Sequence, residues 1–122
     1  MNINMKRILI VDDEKGIRDF LSKAISKYDG VVVEAVSSVS QGIKKFEKKP
    51  FNVLITDINM PGTSGLFLIR YIKRNFSDCK IVVMSTAGYQ LEEAEKMGVS
   101  FCLSKPFLLS DVIEKLTLLL RI

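Results

Sequence analysis

The chain of 122 residues has no histidine or tryptophan, only two cysteines and only three prolines. Without histidine, an imidazole general base and zinc sites with imidazole ligands are both excluded. Cys79 and Cys102 lie far apart and match no metal-binding spacing, so a reduced cytoplasmic protein is the simplest interpretation. The apolar residues near the amino terminus are too few for a signal-peptide core or a membrane span.

Excess charge of one sign is also small, since 18 basic and 14 acidic residues give a net charge of +4. The pairs Lys44-Lys45 and Lys48-Lys49 are typical of the solvated face of a helix rather than of a nucleic-acid surface. Hydrophobic residues make up 48% and charged residues 26% of the chain, which predicts a soluble globular fold. We expect one domain over residues 1–122, with no linker or second domain.

Short apolar runs alternate with segments of helical periodicity. The runs typical of buried strands are Arg7–Val11, Val31–Val36, the run that ends at Asp57, Lys80–Met84 and Phe101–Leu103. Helices are predicted from Lys15, after the capping box Ser38-Val39-Ser40-Gln41, over Gly65–Arg74, over Leu91–Met97 and after a cap at Ser110. This alternation predicts an α/β fold with three layers: a five-stranded parallel sheet, doubly wound and flavodoxin-like, with strand order 2-1-3-4-5.

Polar side chains follow four of the predicted strands, all at the same edge of the sheet. They are Asp12 and Asp13, Asp57, Ser85 or Thr86, and Lys105. In the order 2-1-3-4-5 the first and third strands are neighbours, so three carboxylates converge. Carboxylates so close raise one another's pKa, and a hard divalent cation such as Mg²⁺ removes the conflict.

A site with Mg²⁺, a lysine, a hydroxyl and a carboxylate, but no histidine, fits phosphoryl transfer onto the carboxylate of Asp57. Taken singly, each residue has a plainer interpretation. Asp12 or Asp13 could cap a helix, Asp57 could belong to the turn at Pro61-Gly62, Ser85 could be a loop hydroxyl and Lys105 a surface residue. Their joint placement at four strand ends favours the site.

From about Lys6 to its end, the sequence resembles the receiver domains of two-component response regulators. The residues that carry the resemblance are Asp12-Asp13, Asp57 with Asn59-Met60-Pro61-Gly62 after it, Ser85, and Lys105-Pro106-Phe107. The resemblance implies a single-domain, chemotaxis-regulator-like switch that receives a phosphoryl group from the phosphohistidine of a sensor histidine kinase or phosphotransfer protein. Such a domain is not a conventional enzyme, although it assists its own phosphorylation and dephosphorylation.

The resemblance also implies residue roles. Asp57 would be the phosphoacceptor, Lys105 would contact the phosphoryl group, and Asp12, Asp13, Asp57 and the main-chain carbonyl of Asn59 would hold Mg²⁺. A cis peptide is expected between Lys105 and Pro106. The kinase-side partner would dock on Gly16, Ile17, Phe20 and Pro106. Phosphorylation would change the surface built from the last two helices and strand five, which would bind an effector protein or a second copy. No direct contact with nucleic acid or a membrane is expected.

The sequence departs from the family pattern between Ser85 and Lys105, which are closer together than usual. Ser85 is the expected switch hydroxyl, and Thr86 is the alternative because the shortening blurs the alignment. The shortening also predicts that the fourth helix is short or partly melted. The usual aromatic position holds Cys102, so either the aromatic switch is absent or Phe101 replaces it.

Leu118 lies on the side of the fifth helix opposite its core stripe. The plainer interpretation is a single exposed leucine, and the functional one is a contact with a second copy or an effector.

Two other functions are compatible with parts of the pattern. An Mg²⁺-dependent phosphatase that works through an aspartyl phosphate usually has an acid two positions after the nucleophile, where this chain has Asn59. A pseudo-receiver or flavodoxin-like binding module is disfavoured, because the acids, the hydroxyl and the lysine are all present.

Overall fold

The structure, a computed structural model, describes residues 5–121, so the predicted domain limits at residues 1 and 122 lie outside the described residues. Strands and helices alternate along the chain. They are β1 (Lys6–Val11), α1 (Lys15–Ile25), β2 (Val31–Val36), α2 (Val39–Lys48), β3 (Val53–Asp57), α3 (Gly65–Asn75), β4 (Lys80–Ser85), α4 (Gly88–Lys96), β5 (Phe101–Ser104) and α5 (Leu109–Leu120). All strand pairs are parallel and the order is β2-β1-β3-β4-β5, which confirms the predicted fold.

The sheet separates two hydrophobic cores. Leu21 and Leu116 represent the core beneath α1 and α5, while Phe46 and Leu68 represent the core beneath α2, α3 and α4. Every residue of β3 is buried, because helices cover both faces of the central strands. Among residues 5–121, no helix is long and apolar enough to cross a membrane.

Helix starts are where the predictions and the structure differ most. Ser38 caps α2 as expected, since its side chain accepts a hydrogen bond from the Gln41 N–H. The prediction that Ser110 caps α5 is wrong: the N-cap is Leu108, and Ser110 lies inside the first turn. The fourth helix is short, as predicted, but it begins at Gly88 rather than Leu91. Its first turn lacks the apolar periodicity on which the prediction depended.

The start of α3 packs directly against the end of β3. A Cβ on Gly65 would collide with the carbonyl oxygen of Asp57 and would lie 2.7 Å from the Cα of Ile58. The Gly65 N–H also donates to the Ile58 carbonyl at 3.1 Å. Glycine at this position therefore lets α3 start close behind Asp57, which fixes the backbone at the edge where the polar side chains collect.

Candidate functional site

Three carboxylates meet at the carboxyl edge of the sheet. Asp12, Asp13 and Asp57 each offer an oxygen, and these oxygens all lie within 4.8 Å of one another. Val11 pairs with Thr56 across the sheet, so β1 and β3 end side by side and deliver the acids to one place. Asp12 and Asp57 are buried, whereas Asp13 is exposed. The predicted convergence of these acids is confirmed.

Lys105 is the only cation that forms an ion pair with these acids among the described residues. Its Nζ lies 2.8 Å from Asp12 Oδ2, 3.3 Å from Asp57 Oδ2 and 3.8 Å from Glu14 Oε1. The Lys105 side chain is only 8% exposed. Its N–H donates to the Ser85 carbonyl at 2.9 Å, and its peptide bond to Pro106 is cis, as expected. The end of β5 thus directs the lysine into the acids.

The charges at the site are unbalanced. Burial raises the pKa of Asp57; the Lys105 charge opposes this rise, while nearby Asp12 adds to it. Burial lowers the pKa of Lys105, but Asp12 and Asp57 outweigh that effect, so its pKa is raised and it stays protonated. One lysine therefore faces three carboxylates, and closely placed carboxylates are the ligands that Mg²⁺ prefers.

Hydrogen bonds between side chains and the backbone hold Asp12 and Asp57 in place, and most of these bonds could not be predicted from local sequence patterns. Arg18 donates through Nη1 to the Asp12 carbonyl at 2.9 Å, and the Glu14 N–H donates to Asp12 Oδ1 at 2.9 Å. The Thr56 hydroxyl donates to the Asp57 carbonyl at 2.9 Å. Arg18 lies on an ordinary amphipathic helix, so no local pattern distinguishes it from other surface arginines.

Ser85 and Thr86, the two candidate switch hydroxyls, differ in their surroundings. Ser85 is fully buried; its Oγ donates to Gln90 Oε1 at 2.6 Å and accepts from the Ala87 N–H at 3.0 Å. Thr86 is exposed and lies beside Lys105 in a surface groove. Both residues lie where β4 ends, on the strand next to β3, so the choice of Ser85 stays a prediction. Gln90 was not predicted from the sequence as part of the site.

Phe101 and Cys102 lie on opposite faces of the sheet. Phe101 packs against the core beneath α1 and α5, with Lys115 Nζ 5.1 Å from its ring centroid. Cys102 packs against the other core, and its Sγ lies 3.6 Å from the Leu91 carbonyl. The ring of Phe101 is therefore on the opposite face of the sheet from the position that Cys102 occupies. A switching role for either residue stays a prediction.

Three of the four predicted docking residues line one groove. Ile17, Phe20 and Pro106 face a depression of about 360 Å³ that also includes Thr86 and Lys105. Phe20 is 51% exposed. Gly16 is exposed on α1 but is not among the residues that line the groove. On α5, Leu118 is 61% exposed, as its position on the helix predicted.

Comparisons with known proteins agree with this geometry. A protein-family model described as response regulator receiver domain matches residues 8–117. The chemotaxis protein CheY of Thermotoga maritima is 33% identical over 113 residues, which are 91% of this chain and 94% of that protein. The response regulator receiver protein CpdR of Brucella abortus is 32% identical over 114 residues, 92% of this chain and 94% of that one.

A solved structure extends the similarity to three dimensions. The response regulator TrrA of Thermotoga maritima, in complex with Mg²⁺ and BeF, superposes with a TM-score of 0.84 at 30% identity. The match covers 94% of this chain and 99% of that one. The similarity therefore spans nearly the whole chain, including the edge of the sheet where the acids and the lysine meet.

Proposed function

Because the chain belongs to the family of response regulator receiver domains, the phosphorylation-activated switches of two-component systems, we propose that Asp57 accepts the phosphoryl group. The observation that carries this assignment is the contact of Lys105 with both Asp12 and Asp57, beside a third carboxylate. Asp57 lies at the end of the central strand and has the raised pKa of a buried carboxyl. Lys105 therefore holds the Asp57 side chain at the site but offsets only part of the effect that burial has on its charge.

Asp12, Asp13, Asp57 and the main-chain carbonyl of Asn59 would hold Mg²⁺. This donor set fits the ion, since it consists of oxygen ligands with excess negative charge. When bound, Mg²⁺ would neutralise charge on the acids and on the transferring phosphoryl group. TrrA, a relative in fold and sequence, is described in complex with Mg²⁺ and BeF.

In the proposed reaction a carboxylate oxygen of Asp57 attacks the phosphorus of a phosphohistidine. The O–P bond forms as the P–N bond breaks, and the electron pair of that bond returns to the imidazole nitrogen, which then takes up a proton. Lys105 Nζ, 3.3 Å from Asp57 Oδ2, would contact an oxygen of the phosphoryl group. The Ser85 hydroxyl, with Thr86 as the alternative, would donate a hydrogen bond to another. The same groups would assist the later hydrolysis of the aspartyl phosphate.

The groove beside the site is the proposed docking surface for the kinase or phosphotransfer protein. Phe20 and Ile17 supply exposed and half-buried apolar contacts, and Pro106 borders Lys105. A partner seated there would bring its phosphohistidine close to Lys105. We propose that α4, β5 and α5, with Leu118 exposed, form the surface that an effector or a second copy reads. Both cysteines are free, which fits a cytoplasmic setting.

Incubation with Mg²⁺ and phosphoramidate, followed by intact mass measurement, tests the assignment of Asp57. We expect the wild-type protein to gain one phosphoryl group and Asp57→Asn to gain none. Asp78→Asn is the matched control, because Asp78 is an exposed acid outside the site, and it should behave as the wild type.

Other outcomes of that measurement identify other functions. Continuous release of phosphate with little adduct would indicate the phosphatase. A protein that neither gains a phosphoryl group nor releases phosphate would indicate a binding module. An adduct that persists in Asp57→Asn would show that another residue is the acceptor.

A further inference from the structure

A chain of side-chain hydrogen bonds runs along the rim of the site. Ser85 Oγ donates to Gln90 Oε1 at 2.6 Å, and Gln90 Nε2 donates to Asn59 Oδ1 at 2.7 Å. These two bonds join the end of β4, the first turn of α4 and the loop after β3. Both ends of this row of hydrogen bonds lie beside Asp57. The Asn59 N–H donates to Asp57 Oδ1 at 3.3 Å, and Met84, the neighbour of Ser85, pairs with Asp57 in the sheet.

The same hydrogen bonds also fix the start of α4. Its N-cap residue is Ala87, whose side chain cannot accept a hydrogen bond from the free N–H groups of the first turn. Ser85 Oγ accepts a hydrogen bond from the N–H of Ala87 itself, at 3.0 Å, and donates its own O–H to Gln90 Oε1. In a capping box a glutamine at this position accepts the N–H of the N-cap residue directly. Here Ser85 accepts that N–H, and Gln90 holds Ser85 in place.

The Ser85 hydroxyl has a single hydrogen to donate. That hydrogen is engaged by Gln90, and the Ser85 side chain is fully buried, so water does not reach it. A phosphoryl group on Asp57 would bring three strong acceptor oxygens into the site. For Ser85 to donate to one of them, it must leave Gln90, and the amide of Gln90 then loses its link to β4.

We propose that Gln90 is a positioning residue that holds Ser85 and Asn59 in the arrangement of the unphosphorylated protein and thereby slows phosphoryl uptake. This inference rests on the proposed function of Asp57 as the acceptor. Phosphorylation exchanges the bond from Ser85 to Gln90 for a bond from Ser85 to the phosphoryl group. This exchange removes the hydrogen bond that joins the first turn of α4 to β4. Phosphorylation of Asp57 would thereby change the position of α4, a helix of the proposed output surface.

Replacing Gln90 by an apolar side chain of similar length tests the proposal. Gln90→Met removes both hydrogen bonds and should raise the maximal rate of phosphoryl uptake from phosphoramidate, at saturating Mg²⁺, about two- to tenfold, the equivalent of one hydrogen bond. The KM for phosphoramidate should not change. Gln41→Met is the matched control: Gln41 also joins a serine at a helix start, through Ser37 Oγ at 3.0 Å, but lies outside the site.

A double-mutant cycle shows whether Gln90 acts through Ser85. In a Ser85→Ala background, Gln90→Met should have no further effect on the uptake rate. Gln90→Glu keeps the acceptor for Ser85 but loses the donor to Asn59, so its rate should lie closer to that of the wild type. Thermal unfolding shows whether Gln90→Met is folded. If it is not, Gln90→Glu is the variant whose uptake rate tests the proposal.

Several results would overturn the proposal. They are equal rates for wild type and Gln90→Met, an increase that survives in full without the Ser85 hydroxyl, and an equal increase in Gln41→Met. If Gln90→Met does not fold, the proposal would be overturned by an uptake rate of Gln90→Glu that differs strongly from that of the wild type. A wild-type protein that takes up no phosphoryl group would instead refute the role of Asp57, and the role of Gln90 with it.

Discussion

Two charged clusters, one towards each end of β1, are built in opposite ways. At the carboxyl end a single cation, Lys105, lies against Asp12 and Asp57, and the whole group is buried. Towards the amino end a single acid, Glu34, lies between two cations: Arg7 Nη2 at 3.2 Å and Lys45 Nζ at 2.8 Å. The second cluster is partly exposed, with Lys45 the most accessible of its members.

The two clusters differ in the direction in which they shift a carboxyl pKa. The hydrogen bond from Lys45 lowers the pKa of Glu34, and the charge of Arg7 adds to this effect. Burial raises the pKa of Asp57 in spite of Lys105. Glu34 is thus ionised in a favourable setting, which is what a structural ion pair requires. Asp57 is ionised at a cost, which a bound cation would offset.

Removing one cation from each cluster should produce the largest difference. Lys105→Met leaves Asp12 and Asp57 buried without their cation, and we expect a loss of about 3 kcal/mol in the free energy of unfolding. Lys45→Met leaves Glu34 with Arg7, and exposed pairs of this kind contribute less than about 1 kcal/mol. Urea unfolding at pH 7 without Mg²⁺ measures both, and equal losses would contradict the contrast.

The elements that position these clusters follow from local sequence patterns. Buried strands show as apolar runs, and parallel strands bring their carboxyl ends to one edge. Asp12, Asp57 and Lys105 could therefore be predicted to meet before any distance was known. Asp12 and Asp57 come directly after, or at the end of, a predicted strand, and Lys105 follows the end of one after a single intervening residue.

Contacts between elements could not be predicted in the same way. Gln90 reaches Asn59 across 31 positions of sequence, and Arg18 reaches the Asp12 carbonyl from α1. Such contacts depend on how helices pack on the sheet, which periodicity does not encode. The start of α4 could not be predicted for the same reason, since the serine that accepts the N–H of its N-cap residue lies at the end of β4.

Adding Mg²⁺ should also distinguish the two clusters, with a somewhat smaller effect on stability. An ion that binds only the folded state stabilises it, by about 2.7 kcal/mol at a hundredfold excess over its Kd. We expect this gain for the wild type and for Glu34→Gln, because Glu34 is not among the acids of the site. Asp13→Asn should lose most of the gain, since Asp13 is a proposed ligand of the ion, and its exposed side chain is expected to contribute little to the stability of the fold.

Urea unfolding with and without Mg²⁺ gives the measurement, and Asp29→Asn, another exposed acid, is the control for Asp13→Asn. A gain that is the same in Asp13→Asn as in the wild type would show that the ion binds elsewhere. A gain that disappears in Glu34→Gln would show that the two clusters are not independent.

The smallest expected effect is a difference in the sign of pH dependence, measured without Mg²⁺. The folded-state pKa of Asp57 is above its ordinary value of 3.8, so the unfolded state ionises first and stability is lost as the pH rises from there through the folded pKa. Asp57→Asn should therefore gain stability relative to the wild type as the pH rises. The folded-state pKa of Glu34 is below 4.5, so its contribution is present above that pH and is lost as the pH falls.

Glu34→Gln should accordingly lose stability relative to the wild type as the pH rises, the reverse of Asp57→Asn. Unfolding curves at several pH values between acid and neutral conditions compare the two variants. If both differences had the same sign, the acids would share one kind of environment. Opposite signs would mean that one carboxylate is placed to stabilise the fold and the other is kept at a cost for the chemistry of the site.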